Sequence, residues 1–507
     1  MKRILAGMLA LSMMVGCASP DERANRLLVE ASKEIDQAHL AEKKDYSLAA
    51  KHYQRAADML AEISDKYQTS NLAARIAQND LKIDGHNVKD FRTAVVPLAV
   101  FRGWAEKSVL GCAAYIALNL PETEEKTNVL LSIALKVANQ GDLSRTRELY
   151  ELISERHFGT TSIENSEAML NLAVLQKRLG LSDDARKSYS TASQLFLKNI
   201  PATIDPYSNL TSIARLLGTA TCVVEGPERV ENLLIQLPES LKDDARAGVS
   251  DWYLSEGKLK EALSSSNSLS KENQAYFYGR LVSYYQDRNQ RENAIKYLKD
   301  QRRLFEEAGS FSNRWAALGF IEDCMQLGEG ALANEVVEKA LYKIDPSDPL
   351  GIQASDTLHN AETYAVLGKS DEYRKLLNKG LALQKQWHQY IDSPANISDI
   401  DTFPLIDAYL AASEFDKAVE TAKGNNKSEY RDFTFIKIIH KLVELGRFER
   451  ALPLISELRN PSSRATMLAN IGQKAHDRQA KLEPAAFLRE LILSTSEHAR
   501  DGSATRQ

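Results

Sequence analysis

Residues 436–455 read IKIIHKLVELGRFERALPLI. The apolar pair Ile438-Ile439 is followed three residues on by Leu442, a helical spacing. Gly446 comes next, then Ala451, then Ile455 four positions later on the same helical face. The same order recurs in LNLAVLQKRLGLSDDARKSYSTA (170–192), around Gly180, Ala185 and Tyr189. It recurs again in GRLVSYYQDRNQRENAIKYL (279–298), around Ala294 and Leu298. Packing explains the order. The glycine ends a first helix, where a left-handed residue is needed. The small residue lets a second helix cross closely, and the larger one fills the gap beside it. Neither helix buries its apolar stripe alone, so neighbouring hairpins must stack.

Taking the small residue as an anchor gives Ala49, Thr146, Ala185, Val230, Ala262, Ala294, Ala333, Tyr373, Ala418 and Ala451. From Thr146 the intervals are 39, 45, 32, 32, 39, 40, 45 and 33. Gly141, Gly180, Gly257, Gly328, Gly368 and Gly446 each stand five residues before an anchor. This pattern resembles the tetratricopeptide family over roughly 350 residues, counted as about nine repeats after Glu122 plus one near the start. Individual units are degenerate. Thr146, Val230 and Tyr373 replace the usual alanine, and the longer intervals imply extended helices or loops. The expected fold is all-α, an α-α superhelix or solenoid of tetratricopeptide-like hairpins.

Composition agrees. Of 507 residues, 43% are hydrophobic and 26% charged, an ordinary globular balance. The formal net charge is -5, and no basic block offers a footprint for nucleic acid. Cys17, Cys112, Cys222 and Cys324 are far apart and show no C-x-x-C spacing, so neither a zinc site nor a disulfide framework is signalled. The last three read as buried small apolar residues.

The chain starts MKRILAGMLALSMMVGCASP. Lys2 and Arg3 precede an uncharged apolar run from Ile4 to Val15, too short for a mature span and suited to a signal sequence. Met14-Val15-Gly16-Cys17 resembles a lipobox, with a small residue at the cleavage point and a thiol to carry diacylglycerol. That resemblance implies a bacterial lipoprotein: signal peptide 1–16, lipidated tether 17–24 and an anchor at Cys17. Ala18, and not aspartate, implies sorting to the outer membrane of a Gram-negative cell, facing the periplasm.

Residues 25–87 form an N-terminal helical repeat region, in which DYSLAAKHYQRAADML (45–60) reads as a second helix. Residues 88–120 are more apolar and break the rhythm. Pro97 and Gly103 are expected to interrupt the helix there, and Arg102, Glu106 and Lys107 exclude a membrane span. This segment is either a core hairpin or an apolar docking surface. The superhelix occupies 121–497, and 498–507 reads as a disordered tail.

No catalytic signature appears: there is no phosphate-binding G-x-x-x-x-G-K-[ST], no G-x-G-x-x-G, no G-x-S-x-G and no H-E-x-x-H. His359 and Glu362 share a helix face, but two ligands fall short of the three or four a metal site needs. No catalytic residue, metal or cofactor is therefore assigned. The tetratricopeptide resemblance implies a concave groove lined by first helices. On that basis Asp251, Tyr276, Arg280, Trp315, Glu322, His359 and Glu362 are candidate partner-binding residues. Tyr276 and Trp315 would be aromatic anchors, and Arg280 a carboxylate partner. The lysine and asparagine set with which some members grip chaperone C-termini is not repeated: Asn171 matches, but Arg215 and Thr219 follow. The expected function is a lipid-anchored scaffold, binding envelope proteins or peptides in cell-envelope assembly, secretion or cell-wall remodelling. A structural subunit of an oligomer, a soluble-ligand receptor and an enzyme with an unrecognised site remain open beside it, as does a homo-oligomer.

Overall fold

A computed structural model describes residues 19–42, 45–83, 86–154, 163–201, 209–390, 402–424, 428–482 and 484–504. The leader 1–16 and Cys17 lie outside these residues. The described residues divide into two compact units. One runs up to Lys126 and takes in the residues after Leu482; the other is Thr127–Leu482. The sequence places these breaks at 120 and 497 instead.

The first unit opens with α1 (Pro20–Glu42) and α2 (Tyr46–Lys66), which pack together, followed by the short α3 (Asn71–Ala77). A two-residue hairpin, β1 (Lys82–Ile83) with β2 (His86–Asn87), leads into α4 (Phe91–Ala105) and α5 (Val109–Leu118). The expected tether ends early, because α1 starts at Pro20. Glu22 accepts from the Ser19 backbone N–H (2.9 Å) and donates its own N–H to Ser19 Oγ (3.2 Å). This capping box, with Pro20 at the first helical position, nucleates the helix and leaves Ala24 fully buried. The expected interruption at Pro97 and Gly103 is also corrected. The helix α4 runs through both, since packing on α2 outweighs one lost backbone hydrogen bond. Every residue from Val109 to Leu118 is buried, so α5 is core and presents no docking surface.

The second unit is a succession of hairpins, each a first and a second helix. The pairs are α6 (Glu124–Asn139) with α7 (Leu143–Ser154), α8 (Ile163–Arg178) with α9 (Ser182–Asn199), and α10 (Leu210–Val224) with α11 (Val230–Gln236). Next come α12 (Glu239–Ser255) with α13 (Leu259–Ser266), α14 (Lys271–Gln286) with α15 (Arg291–Ala308), and α16 (Arg314–Gln326) with α17 (Gly330–Ala340). The last pairs are α18 (Leu350–Val366) with α19 (Ser370–Tyr390), α20 (Phe403–Ala411) with α21 (Phe415–Gly424), and α22 (Ser428–Glu444) with α23 (Phe448–Ala451). A lone helix, α24 (Pro461–Asp477), follows. The last helix, α25 (Ala485–Ala504), packs on α5 in the first unit and continues past 498, where a tail is expected from sequence. The fold is thus an all-α superhelix of tetratricopeptide-like hairpins.

The anchors explain the joints. All ten are buried, Thr146, Val230 and Tyr373 included. The six marker glycines hold φ between +69° and +82°, the left-handed turn that ends each first helix. Two units without glycine use the same conformation: Asn289 (φ 56°) before Ala294 and Ser413 (φ 59°) before Ala418. The uneven period resides mainly in the second helices. The 32-residue units use second helices of 7 and 8 residues, α11 and α13, whereas α15 has 18 and α19 has 21. Within one hairpin Phe277, Leu281, Leu298 and Phe305 are all essentially buried, each stabilising the fold by about 1.5–3 kcal/mol. First helices also pack on first helices. A Cβ on Gly248 would stand 1.9 Å from the Arg215 carbonyl, and one on Gly218 2.0 Å from that of Ala245, so only glycine allows α10 and α12 this approach.

Candidate functional site

The first helices face the interior of the second unit, and some meet across it. Lys441 Nζ on α22 donates to Glu322 Oε1 on α16 at 2.9 Å. Asp287, capping α14, lies 3.5 Å from Lys474 and 3.7 Å from Arg478, on and beside α24. Gln140 Nε2, just after α6, donates to the Gly472 carbonyl on α24 at 3.2 Å.

Beside the Glu322–Lys441 bridge lies a cleft of about 320 Å³. Every residue lining it belongs to one of four successive first helices: α16, α18, α20 and α22. Trp315 and Gly319 come from α16, Leu410 and Ala411 from α20, and His440 and Glu444 from α22. Trp315 is 55% exposed. A Cβ on Gly319 would meet nothing within 4 Å. Packing therefore does not require this mid-helix glycine, and it leaves the cleft wide.

The charged lining is paired from behind. Glu362 accepts from Arg314 Nη2 at 2.6 Å, and both are buried. The Arg314 guanidinium also lies between the Trp315 and Tyr342 rings, 5.0 and 5.2 Å from their centroids, a cation–π arrangement. Asp407 is buried and ion-paired with Lys437. Burial pushes the Glu362 and Asp407 carboxyls up, and Arg314 and Lys437 oppose the rise. Burial tends to lower Lys441, but the carboxylates of Glu322, Glu444 and Glu362 outweigh it and raise this lysine. Asp323, next to the bridge, is pushed up to about 7 by burial, with Glu322 adding and Lys441 opposing.

The pairing of His359 with Glu362 alone needs correction. The fold brings Asp407 from α20 beside them, so that ligand atoms of all three lie within 4.8 Å of one another. Burial, with Arg314 and Lys437 adding, lowers His359 to about 4, so its imidazole is neutral at pH 7. The number of ligands would suit a cation, but the charge would not. Lys437 already sits on Asp407 and Arg314 on Glu362, so a divalent ion would leave about two uncompensated positive charges in a buried place. The triad with its two cations is a neutral network that holds α16, α18, α20 and α22 together.

Trp315, Glu322 and Glu362 line the cleft, and His359 stands behind the Trp315 ring at 6.1 Å. Asp251 and Arg280 form a separate cluster. Arg215 Nε donates to Asp251 at 2.7 Å and Arg280 Nε lies 2.6 Å from its other oxygen, linking α10, α12 and α14. Burial lowers Arg280 to about 10, with Asp251 opposing. Tyr276 is turned toward its own second helix, edge-on to Phe305 at 5.4 Å. Sequence reasoning missed Asp407, Lys437, His440, Lys441 and Glu444. The signal was present on α22, where Lys437/Lys441 and His440/Glu444 are each four residues apart and avoid the apolar Ile438-Ile439 face.

Cys112, Cys222 and Cys324 are buried free thiols, and burial pushes each up to about 12.

No family model matches the chain, and no curated protein matches its sequence. Among solved structures, Ton1535 from Thermococcus onnurineus NA1 is 15% identical, with 74% of this chain and 97% of that one covered and a TM-score of 0.22. A signal-transduction ATPase with a tetratricopeptide repeat sensor, PH0952 from Pyrococcus horikoshii, is 12% identical over 79% of this chain and 62% of its own, with a TM-score of 0.23. The Cut9–Hcn1 hetero-tetramer of the APC/C gives 13% identity, 94% and 90% coverage and a TM-score of 0.23. Scores this low add nothing to the fold, which rests on the chain's own helical hairpins.

Proposed function

We propose that the protein is an interaction scaffold that binds a segment of a partner protein on the inner face of its superhelix. One observation carries this: the cleft beside Trp315 is lined by four successive first helices and by no second helix. Stacked hairpins use such a face for recognition because it presents one row of side chains per repeat on a rigid frame. The exposed Trp315 is the type of anchor that dominates interfaces. The charged network around it is occupied by internal ion pairs and offers no nucleophile with an activating base, so binding, not catalysis, is the activity proposed. A photo-crosslinking amino acid at position 315, compared with one at Glu338 on the second helix α17, tests this in cells. Discrete protein adducts at 315 and not at 338 are expected; equal capture at both, or none at 315, would overturn the proposal.

The N-terminal sequence supports a further part of the same reading. Lys2 and Arg3, the apolar run to Val15 and the lipobox-like Met14-Val15-Gly16-Cys17 suggest a lipid anchor at Cys17. The scaffold would then face the periplasm from the outer membrane and recruit envelope proteins for assembly, secretion or cell-wall remodelling. Alkyne-palmitate labelling that is lost in Cys17→Ala, with release from the membrane fraction, is the expected result. An unlabelled wild-type chain would exclude the anchor.

A further inference from the structure

We propose that the cleft beside Trp315 receives a basic side chain, arginine or lysine, carried on an extended segment of the partner protein. This rests on the inner face being the binding face. Charge is the first argument. Four carboxylates (Glu322, Glu362, Asp407 and Glu444) line the cleft against two ammonium groups, those of Lys437 and Lys441. Counting Arg314 behind Glu362 still leaves a carboxylate in excess. That carboxylate is Glu444, exposed in the last turn of α22, with no cation within 4.0 Å among the described residues. An anionic guest would meet Glu444 and would have to part Glu322 from Lys441. A cationic guest completes the one unfilled pair.

Shape and surface agree. At about 320 Å³ the cleft is at the small end of ligand sites, the size for one side chain and not for a folded domain. Trp315 meets the Arg314 guanidinium and, edge-on, the His359 ring, yet over half of its surface stays exposed for the aliphatic stem and charged head of a guest. Leu318, Leu410 and Ala411 extend the apolar wall. Gly319 leaves the floor open where any side chain would fill it. The raised Lys441 reports the same negative field, since Glu322, Glu444 and Glu362 together outweigh its burial.

The test uses the full chain in detergent and fluorescent hexapeptide pools of Gly, Ser and Ala with one central residue fixed as Arg, Glu or Leu. Fluorescence anisotropy reads the affinity. The Arg pool should bind at least about tenfold more tightly than the other two, and less well as salt rises. Trp315→Ala should weaken the Arg pool about tenfold or more. Glu444→Gln is a surface change with little folding risk and should weaken it by about threefold to tenfold. Gly319→Phe, checked for an unchanged helical spectrum, should abolish binding by filling the cleft. Equal binding of the Leu and Arg pools, both lost in Gly319→Phe, would overturn the cationic guest and leave the inner-face reading intact. Free arginine amide binding as tightly as the Arg pool would overturn the partner segment. Failure of every pool to bind would overturn the inference itself, whereas only absent adducts at position 315 would also remove the reading beneath it.

Discussion

Glu322 and Lys441 stand 119 residues apart in the chain, yet their carboxylate and ammonium meet at 2.9 Å across the interior of the array. The two hairpins that intervene, α18–α19 and α20–α21, set this distance by their stacking. Both side chains are part-buried, so the pair exceeds an exposed ion pair in effect. Lys441→Met should cost about 1–2 kcal/mol in denaturant unfolding, because Glu322 and Asp323 lose their cation. Adding Glu322→Gln should recover part of that loss; full additivity would mean that the two do not interact.

Asp323 gives the stability a pH slope. Its carboxyl is pushed up to about 7, above the 3.8 of an unburied aspartate, so between these values the folded state holds more protons than the unfolded one. Stability contributed by this group is therefore full at low pH and declines as pH rises from about 4 through 7. Asp323→Asn should remove that decline and stabilise the protein at pH 8 by about 1–3 kcal/mol relative to wild type, with little difference at pH 4. Melting temperatures across this range check it. An unchanged slope in the variant would place the titration elsewhere.

Lys437 stands where a metal ion would be needed. Lys437→Met leaves the buried Asp407 without its ion-pair partner and should cost about 3 kcal/mol at pH 8, less as pH falls, because burial holds this carboxyl above the usual carboxylate range and favours its neutral form. Zinc chloride should raise the melting temperature of this variant and not that of wild type, since only the variant has lost the internal cation. Equal stabilisation of both would show that His359, Glu362 and Asp407 hold a metal beside Lys437.

Ser413 holds a left-handed conformation that Gly141, Gly180, Gly257, Gly328, Gly368 and Gly446 hold in other repeats. Ser413→Gly should stabilise by about 1 kcal/mol, and Gly368→Ala should destabilise by about the same. A loss of stability in Ser413→Gly would mean that the serine side chain contributes a contact worth more than its strain.

Glycines inside helices should behave in opposite ways. Gly248→Ala drives a methyl group into the Arg215 carbonyl and should cost about 3 kcal/mol. Gly319→Ala meets no atom and should stabilise α16 by about 0.5–1 kcal/mol through helix propensity alone. Chemical denaturation of both separates a packing glycine from one kept for an open surface.

What the sequence determined by itself was local. The recurring anchors, six of them marked by a glycine five residues earlier, located nine hairpins, because a left-handed turn and a close helix crossing each demand a particular residue type at a particular offset. Holding that register also points to Asn289 and Ser413, which take the glycine conformation without being glycine. The Ser19-to-Glu22 capping box lies in a stretch read from sequence as tether, and the structure shows that the helix begins inside it. Tertiary structure alone decided which first helices meet. Asp407 joins His359 and Glu362, Lys441 reaches Glu322, and Tyr276 turns away from the cleft, only because small rotations between hairpins accumulate over several repeats. Those rotations are set by close backbone approaches such as those at Gly218 and Gly248 between α10 and α12, and by second helices of 4 to 21 residues. No local pattern encodes their sum, so the residues that line the cleft became visible only in the folded chain.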